Sequence, residues 1–390
     1  MIDFNFYSPT KIVFGKNKEE TIGDLVKEFD FKRILIVIGR GSVKSSGLLD
    51  RVLKRLDGAG VYYSILSGVR ANPEIALCKE GILKAREEKI DSILAIGGGS
   101  VIDTAKNIAA GFYYDGDSFD FNRHLVTPKK ALPVGVILTI SAAGSEVSNS
   151  CVISNDELKI KSGFLSDLLR PKFAIENPCL TFSVNPYQTA VGIVDIMMHT
   201  LGRYIQTSIG DELADGFAEV LLNRVVKVGY KVIKDPNNYE ARAMIMLCSS
   251  LSHNGLTNVG KPMGLPVHQL EHALSGAYPE VAHGAGLAVL YPAWAKYYLP
   301  KEAEKFAKLA KEVFEEEGDD TFRLANKFIK DIEDFFVAIG APQSYKELGL
   351  DEVDIELLAN LVTANKTRTV KFHDIEMGYE DVKKIFVLVR

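Results

Sequence analysis

Five side chains in the second half of this chain have the types and spacing to do chemistry: Asp195, His199, His268, His272 and His283. They include four of only seven histidines. Asp195 and His199 lie in VGIVDIMMHTLGRY, an apolar run that reads as the interior of a helix. A spacing of four stacks both side chains on one face, a turn apart. His268 and His272 repeat that spacing in PVHQLEHAL, and His283 follows in EVAHGAGLAV. One carboxylate with several imidazoles is a divalent transition-metal set, able to leave a coordination position open for a substrate. An isolated buried histidine usually serves as a hydrogen-bonded core residue, but the concentration in two short segments favours metal binding. His268 and His272 share a face, so spacing alone does not separate a ligand from a neighbour.

A second chemical signal lies in the first half. EKIDSILAIGGGSVIDTAKNIAAG passes from an apolar β-type segment through three glycines into an amphipathic stretch. Strand, glycine turn and helix together bring backbone N–H groups and a helix N-terminus to a phosphate. Gly97, Gly98 and Gly99 would supply conformational freedom and close approach. Ser100 offers an N-cap hydroxyl, with Asp103 three residues on, as in a capping box. The turn is neither GxGxxG nor GxxxxGK[ST], and it gains weight from the metal set elsewhere in the chain.

The elements that must position these residues differ between the halves. Apolar runs at 33–38, 61–66, 92–96 and 132–139 alternate with helical segments at 46–57, 74–88 and to about 109. That order predicts an α/β domain with a mostly parallel sheet. Ligands of such sheets bind beyond the carboxyl ends of the strands, where Gly39, Asn72, Gly97 and Thr139 fall. From about 183, helical periodicity takes over at 186–206, 212–233, 238–256, 264–276, 284–298, 301–316 and 320–338. Two further helices are expected within 351–390. The predicted division is 1–182, dinucleotide-binding, and 183–390, an all-α metal-binding domain.

Composition narrows the function. A chain of 390 residues with 47% hydrophobic and 25% charged residues is an ordinary globular protein. A net charge of −5 and the lack of a basic stripe argue against nucleic acid or an anionic membrane as partner. No apolar run approaches a membrane span. The start MIDFNFYSPTKIVFG lacks the pattern of a secretory signal. Cys78, Cys151, Cys179 and Cys248 form no CxxC pair and read as reduced thiols of a cytoplasmic protein.

Together these motifs resemble the iron-containing (group III) alcohol dehydrogenases, whose fold is shared with glycerol dehydrogenase and dehydroquinate synthase. The resemblance runs from FYSPTKIVFG through GGGSVIDTAK, LTISAAGSEV and the DxxxH helix to HQLEHALSGAYPEVAHG. It is closest to the butanol dehydrogenase and broad-specificity aldehyde reductase branch. It implies that Asp195, His199, His268 and His283 hold Fe²⁺ or Zn²⁺, and that His272 is a non-ligand proton-relay partner. It also implies that Gly97–Gly99, Ser100 and Asp103 meet the dinucleotide, with Asn72, Thr139, Ser141 and Lys161 as flanking contacts. Lys161, in the charged segment DELKIKSG, equally suits a solvent-facing turn. Gly202, where many relatives have glutamate, and Ile196, where alanine is common, are departures that touch packing near the site.

In this family the ribose-reading carboxylate stands at the end of the first sheet strand. Here Gly39 holds that place, followed by Arg40, Ser42 and Lys44 with no acidic residue. NADP(H) is therefore expected over NAD(H). The implied reaction is hydride transfer between the nicotinamide and a primary alcohol or aldehyde such as butanol or butanal, in a cleft between the halves of a homodimer subunit. A dehydroquinate synthase-like or glycerol dehydrogenase-like enzyme is the alternative. The former needs a basic pocket, whereas the segments MMHTLGRY and KPMGLPVHQ are mostly apolar. A metallohydrolase would need no glycine turn.

Overall fold

Strands rich in isoleucine, leucine and valine form a parallel sheet in the computed structural model, which describes residues 2–206 and 212–389. The chain divides into two compact units, one spanning Tyr7–Ser183 and the other Val184–Arg390 together with Met1–Phe6. The Tyr7–Ser183 unit contains, in order, β1 (Lys11–Phe14), α1 (Ile22–Glu28), β2 (Arg33–Gly39), α2 (Ser42–Ser45), α3 (Leu48–Ala59), β3 (Tyr62–Val69) and α4 (Ile75–Glu87). It continues with β4 (Ser92–Gly97), α5 (Gly99–Gly111), α6 (Phe119–Asn122), β5 (Val134–Leu138), β6 (Ser150–Asn155), β7 (Ile160–Leu165) and β8 (Phe173–Glu176).

The sheet order is β1-β8-β5-β4-β2-β3, and every pairing within it is parallel. Central strands buried on both faces explain the continuous apolar runs of β2, β4 and β5. On one face Ile34, Ile36 and Ile38 pack with Val26 of α1 and with Val52 and Leu56 of α3. From β2 the chain steps outward to β3 and then returns to the opposite side of β2 as β4. The order thus reverses between β2 and β4, the point at which doubly wound sheets bind ligands.

One segment departs from the expected pattern. In DELKIKSG the charged turn is confined to residues 156–159; β6 and β7 form an antiparallel hairpin around it, which places Lys161 on a strand opposite Ser154. Short strands carrying charges mask their own alternation, so this hairpin escapes a periodicity reading.

The second unit is built around α7 (Pro186–Tyr204), followed by α8 (Glu212–Lys234), α9 (Tyr239–His253), α10 (Pro266–Ala277), α11 (His283–Phe314), α12 (Thr321–Ile339) and α13 (Ile355–Val362). A small antiparallel hairpin, β9 (Val370–Phe372) and β10 (Ile375–Met377), precedes α14 (Tyr379–Leu388). Asn185 caps α7 by accepting from the Gln188 N–H at 2.7 Å, with Pro186 at the first helical position. α7 is buried almost all round and packs against α8, α9, α10 and α11, as a helix apolar on every face must. The two helices expected at 284–298 and 301–316 follow one another within α11 and meet at a kink, where Glu302, just after Pro300, has non-helical backbone angles. Proline removes a helical hydrogen bond and crowds the preceding turn, which breaks the helical run there. Among the described residues, no helix is long and apolar enough to cross a membrane.

Candidate metal centre and phosphate-binding turn

Three helices of the second unit deliver the metal-type side chains to one point. α7 contributes Asp195 and His199 a turn apart, α10 contributes His268, and His283 is the first residue of α11. Three imidazole nitrogens surround a single carboxylate oxygen. His199 Nδ1 and His268 Nε2 each lie 3.6 Å from Asp195 Oδ1, and His283 Nε2 lies 3.7 Å from it. These separations exceed hydrogen-bond length. They approach the spacing of about 3.4 Å between neighbouring ligands at metal–ligand bonds of about 2.1 Å in tetrahedral geometry.

Three of the polar atoms at this point are buried without hydrogen bonds. Asp195 Oδ1, His199 Nδ1 and His268 Nε2 have no hydrogen-bond partner, and their residues are only 4–5% exposed. Leaving such groups unsatisfied is costly, and a divalent cation would satisfy all three. Burial pushes the pKa of His199 well below the ordinary histidine value, helped by His253 and His268 nearby. Burial likewise lowers that of His268, against the pull of Asp195. Neutral imidazoles are the form that ligates metal. The donor set therefore fits a divalent ion.

Small residues make the convergence possible. A Cβ on Gly202 would lie 2.7 Å from Leu265 Cδ2, so glycine there lets the residue preceding α10 rest against α7. Ile196 is fully buried in the helical core.

His272, also on α10, is half-buried, with its ring centroid 5.7 Å from that of His283. Glu271, His272 and His283 form a second cluster with ligand-type atoms within 4.8 Å of one another. Two neighbours escaped the sequence reading. Glu271 bonds His283 Nδ1 from full burial. His253, from α9, meets the His199 ring edge-on at a centroid distance of 4.1 Å. Arg203 braces both, donating to the carbonyls of His199 at 2.7 Å and Ser252 at 3.0 Å and contacting His253 Nδ1. A carboxylate inside the apolar run PVHQLEHAL was the available signal for Glu271; nothing local singles out His253.

In the Tyr7–Ser183 unit, Asn72, Gly39, Gly97 and Thr139 follow or end four strands that are neighbours in the sheet, β3, β2, β4 and β5. Gly39 and Gly97 close the two strands that flank the reversal of strand order. The Thr139 N–H donates to the Gly97 carbonyl at 3.0 Å. The glycine turn is required by space, since none of its three residues has a positive φ. A Cβ would lie 2.5 Å from Val101 at Gly97, 3.2 Å from Ile140 at Gly98 and 3.1 Å from Ala143 at Gly99.

The expected capping box does not form. Gly98 is the N-cap of α5, and Ser100 sits inside the first turn. Asp103 instead accepts from Ser145 Oγ at 2.5 Å and from the Val152 N–H at 2.9 Å, bonds that draw it away from the helix end. Its neighbour Lys106 is fully buried and directs its ammonium at oxygens of Ser145, Ser148 and Ser150, from 2.7 to 3.2 Å away. Burial lowers its pKa to about 8, with Asp103 opposing the shift. Ser141 Oγ is buried without a hydrogen-bond partner. Lys161, on β7, is 7% exposed and donates to Asn72 Oδ1 at 3.0 Å, fastening a residue of left-handed φ of 53°. Ser42, Arg40 and Lys44 are exposed beyond β2.

The model of iron-containing alcohol dehydrogenases matches residues 9–178, and that of the C-terminal part of the same family matches 189–387. The chain is 40% identical over 388 residues to NADH-dependent butanol dehydrogenase A of Clostridium acetobutylicum, covering 99% of each protein. It is 34% identical to an NADPH-dependent aldehyde reductase of Escherichia coli, covering 97% of each. The crystal structure of NADH-dependent butanol dehydrogenase A from Thermotoga maritima superposes with a TM-score of 0.95 at 35% identity, covering 100% of this chain and 99% of that one. With both family models matched and relatives similar along their whole length, the chain belongs to the iron-containing alcohol dehydrogenase family.

Proposed function

We propose that this enzyme, an NAD(P)-dependent alcohol and aldehyde oxidoreductase, reduces short to medium unbranched aldehydes such as butanal, with Asp195, His199, His268 and His283 holding a divalent ion. The observation that carries the reading is the ring of imidazole nitrogens 3.6–3.7 Å from Asp195 Oδ1, with three of the atoms lacking hydrogen bonds. When bound, Fe²⁺ or Zn²⁺ supplies Lewis acidity toward the substrate oxygen. Asp195 contributes the negative charge, and the neutral imidazoles leave the ion net positive. His272 holds or receives the proton that the substrate oxygen exchanges during the reaction. The glycine turn of Gly97–Gly99, with Ser100, Asp103, Asn72, Thr139, Ser141 and Lys161 around it, binds the dinucleotide that exchanges hydride.

The relatives include an NADH-dependent and an NADPH-dependent enzyme. Gly39 favours NADP(H), because no carboxylate stands there to repel a 2′-phosphate. Exposed Arg40, Ser42 and Lys44 add donors and positive charge. A cytoplasmic location and a homodimer complete the proposal, and the half-exposed Phe4, Phe6 and Tyr7 near the N-terminus support the homodimer.

Dehydroquinate synthase-like chemistry is less well supported, since the cations nearest in sequence to the ligands are engaged. Arg203 binds carbonyls and His253, and Lys261 is buried against Asp215. Initial rates of butanal reduction with NADPH and with NADH test the proposal, using metal-depleted protein reconstituted with Fe²⁺ or Zn²⁺. Metal-dependent turnover favouring NADPH is expected. Turnover favouring NADH overturns the cofactor assignment, and no turnover despite bound metal overturns the substrate class.

A further inference from the structure

We infer that Glu271 is a positioning residue for the metal centre, fixing the proton and the ring orientation of His283. The inference rests on the reading of Asp195, His199, His268 and His283 as ligands, and it assigns a role to a residue outside that set.

An imidazole has two nitrogens, and the partner of one decides what the other can do. The Nδ1 of His283 is hydrogen-bonded to Glu271 Oε2. A carboxylate accepts, so the proton is on Nδ1 and the lone pair is on Nε2. That Nε2 is the atom 3.7 Å from Asp195 Oδ1. Carboxylate–histidine–metal relays of this form fix the tautomer and raise ligand basicity. His283 needs such a brace more than the other rings do. Its side chain is 25% exposed, against 6% for His199 and for His268, so packing alone holds it less firmly.

Two further observations point to a place built for the carboxylate. Glu271 is fully buried on α10, where a carboxylate is costly unless charge and hydrogen bonds compensate it. Gly286 lies three residues after His283 on α11 and so shares its face. A Cβ on Gly286 would sit 2.9 Å from Glu271 Cγ and 3.3 Å from Oε1. Glycine at that position makes room for the glutamate stem beneath the ring that it orients. With Asp195, Glu271 brings the carboxylates near the centre to two, and the charge of Glu271 is spent on the His283 N–H.

The rival use of the same side chains is a second ion held by Glu271, His272 and His283, whose ligand-type atoms cluster within 4.8 Å. Such an ion would have to break the Glu271–His283 bond, and stoichiometry separates the two arrangements. The experiment titrates metal-depleted full-length protein with Zn²⁺ against a chromophoric chelator, and records the visible spectrum of the Co²⁺ form. The unaltered protein is expected to bind one ion. Glu271→Ala should weaken binding by about 10–100-fold. Glu271→Gln, which keeps an acceptor oxygen without the charge, should fall between them, and Gly286→Ala should weaken binding with the glutamate retained. The Co²⁺ bands should shift in each variant, while NADPH binding, read by fluorescence, stays unchanged and reports an intact fold. Unchanged ion affinity and spectrum in Glu271→Ala and Glu271→Gln overturn the inference alone. Two ions in the unaltered protein, one of them lost in Glu271→Ala, overturn it in favour of the second site. No ion in the unaltered protein overturns both the inference and the ligand reading beneath it.

Discussion

Gly284 lies so close to Val191 that a Cβ in its place would stand 2.0 Å from the Val191 carbonyl oxygen. The contact joins the first turn of α11 to α7 one turn before Asp195, and it places His283 beside the carboxylate. The obstructing atom is backbone, so it has no rotamer by which to yield. Gly284→Ala is expected to cost about 1–3 kcal/mol, as overpacking does. It should also push His283 outward and loosen the ion. Chemical denaturation with and without Zn²⁺ checks this: the variant should lose more of the zinc-dependent stabilisation than of the metal-free stability. Equal losses in both would mean that Gly284 serves packing only.

The depressed histidines make the metal-free protein sensitive to acid. His199 and His268 are held neutral mainly by burial, with pKa values below the ordinary 6.5. Below that value the unfolded chain binds protons that the native state refuses, so stability falls as pH falls. Above it both states are neutral and the effect disappears. Each histidine contributes a slope of up to about 1.4 kcal/mol per pH unit beneath pH 6.5. Urea unfolding of metal-depleted protein from about pH 7.5 to about pH 5 should show the loss. Replacing His268 by Gln should flatten the slope, and an unchanged slope in that variant would remove His268 from the cause.

Gly39 offers a direct handle on cofactor choice. Its φ is not positive, and the nearest atom to an added Cβ would be the Val69 carbonyl oxygen at an unstrained 3.7 Å. Gly39→Asp should therefore fold normally and bring a carboxylate to the end of β2. Like-charge repulsion of a 2′-phosphate should then raise the KM for NADPH by about 10-fold or more, for a penalty of about 1.4 kcal/mol or more. The KM for NADH should fall or hold. A variant with unchanged preference would place the adenosine ribose elsewhere.

Much of this architecture is legible in the sequence, for reasons particular to its residues. Asp195 and His199 stand out because α7 is apolar on every face, so any polar pair within it needs a purpose. The glycine turn is legible because strand β4 and helix α5 adjoin it without an intervening loop. Lys161 is singled out by the family resemblance alone: the charges around it in DELKIKSG equally suit a solvent-facing turn, and only the hairpin brings it onto Asn72. Ser100 was misread as a cap because the partners of Asp103, Ser145 and Val152, lie more than forty residues away in the chain. Glu271 stayed hidden although its partner His283 is only twelve residues away, because the turn from α10 to α11 that joins them carries no periodic signal. Local pattern reports which face a residue occupies, and long-range partners decide its role.

Lys106 shows how such a partner shapes the glycine turn. Its ammonium reaches the carbonyl oxygens of Ser145, Ser148 and Ser150 at 2.7, 3.0 and 2.9 Å. Three N–H bonds from one cation thus tie α5 to the loop that follows Ser141 and packs Ala143 against Gly99. Lys106→Met fills a similar volume but leaves those carbonyls without their donor, a cost of about 1–3 kcal/mol for each buried group left unsatisfied. The loop should relax away from the glycine turn. The expected signature is weaker NADPH binding by fluorescence titration, with Zn²⁺ affinity in the helical unit unchanged. Lys106→Arg should recover part of the binding, because a guanidinium donates to the same oxygens from a bulkier head. If Lys106→Met binds NADPH as tightly as the unaltered protein, the lysine serves stability and the turn needs no brace from that loop.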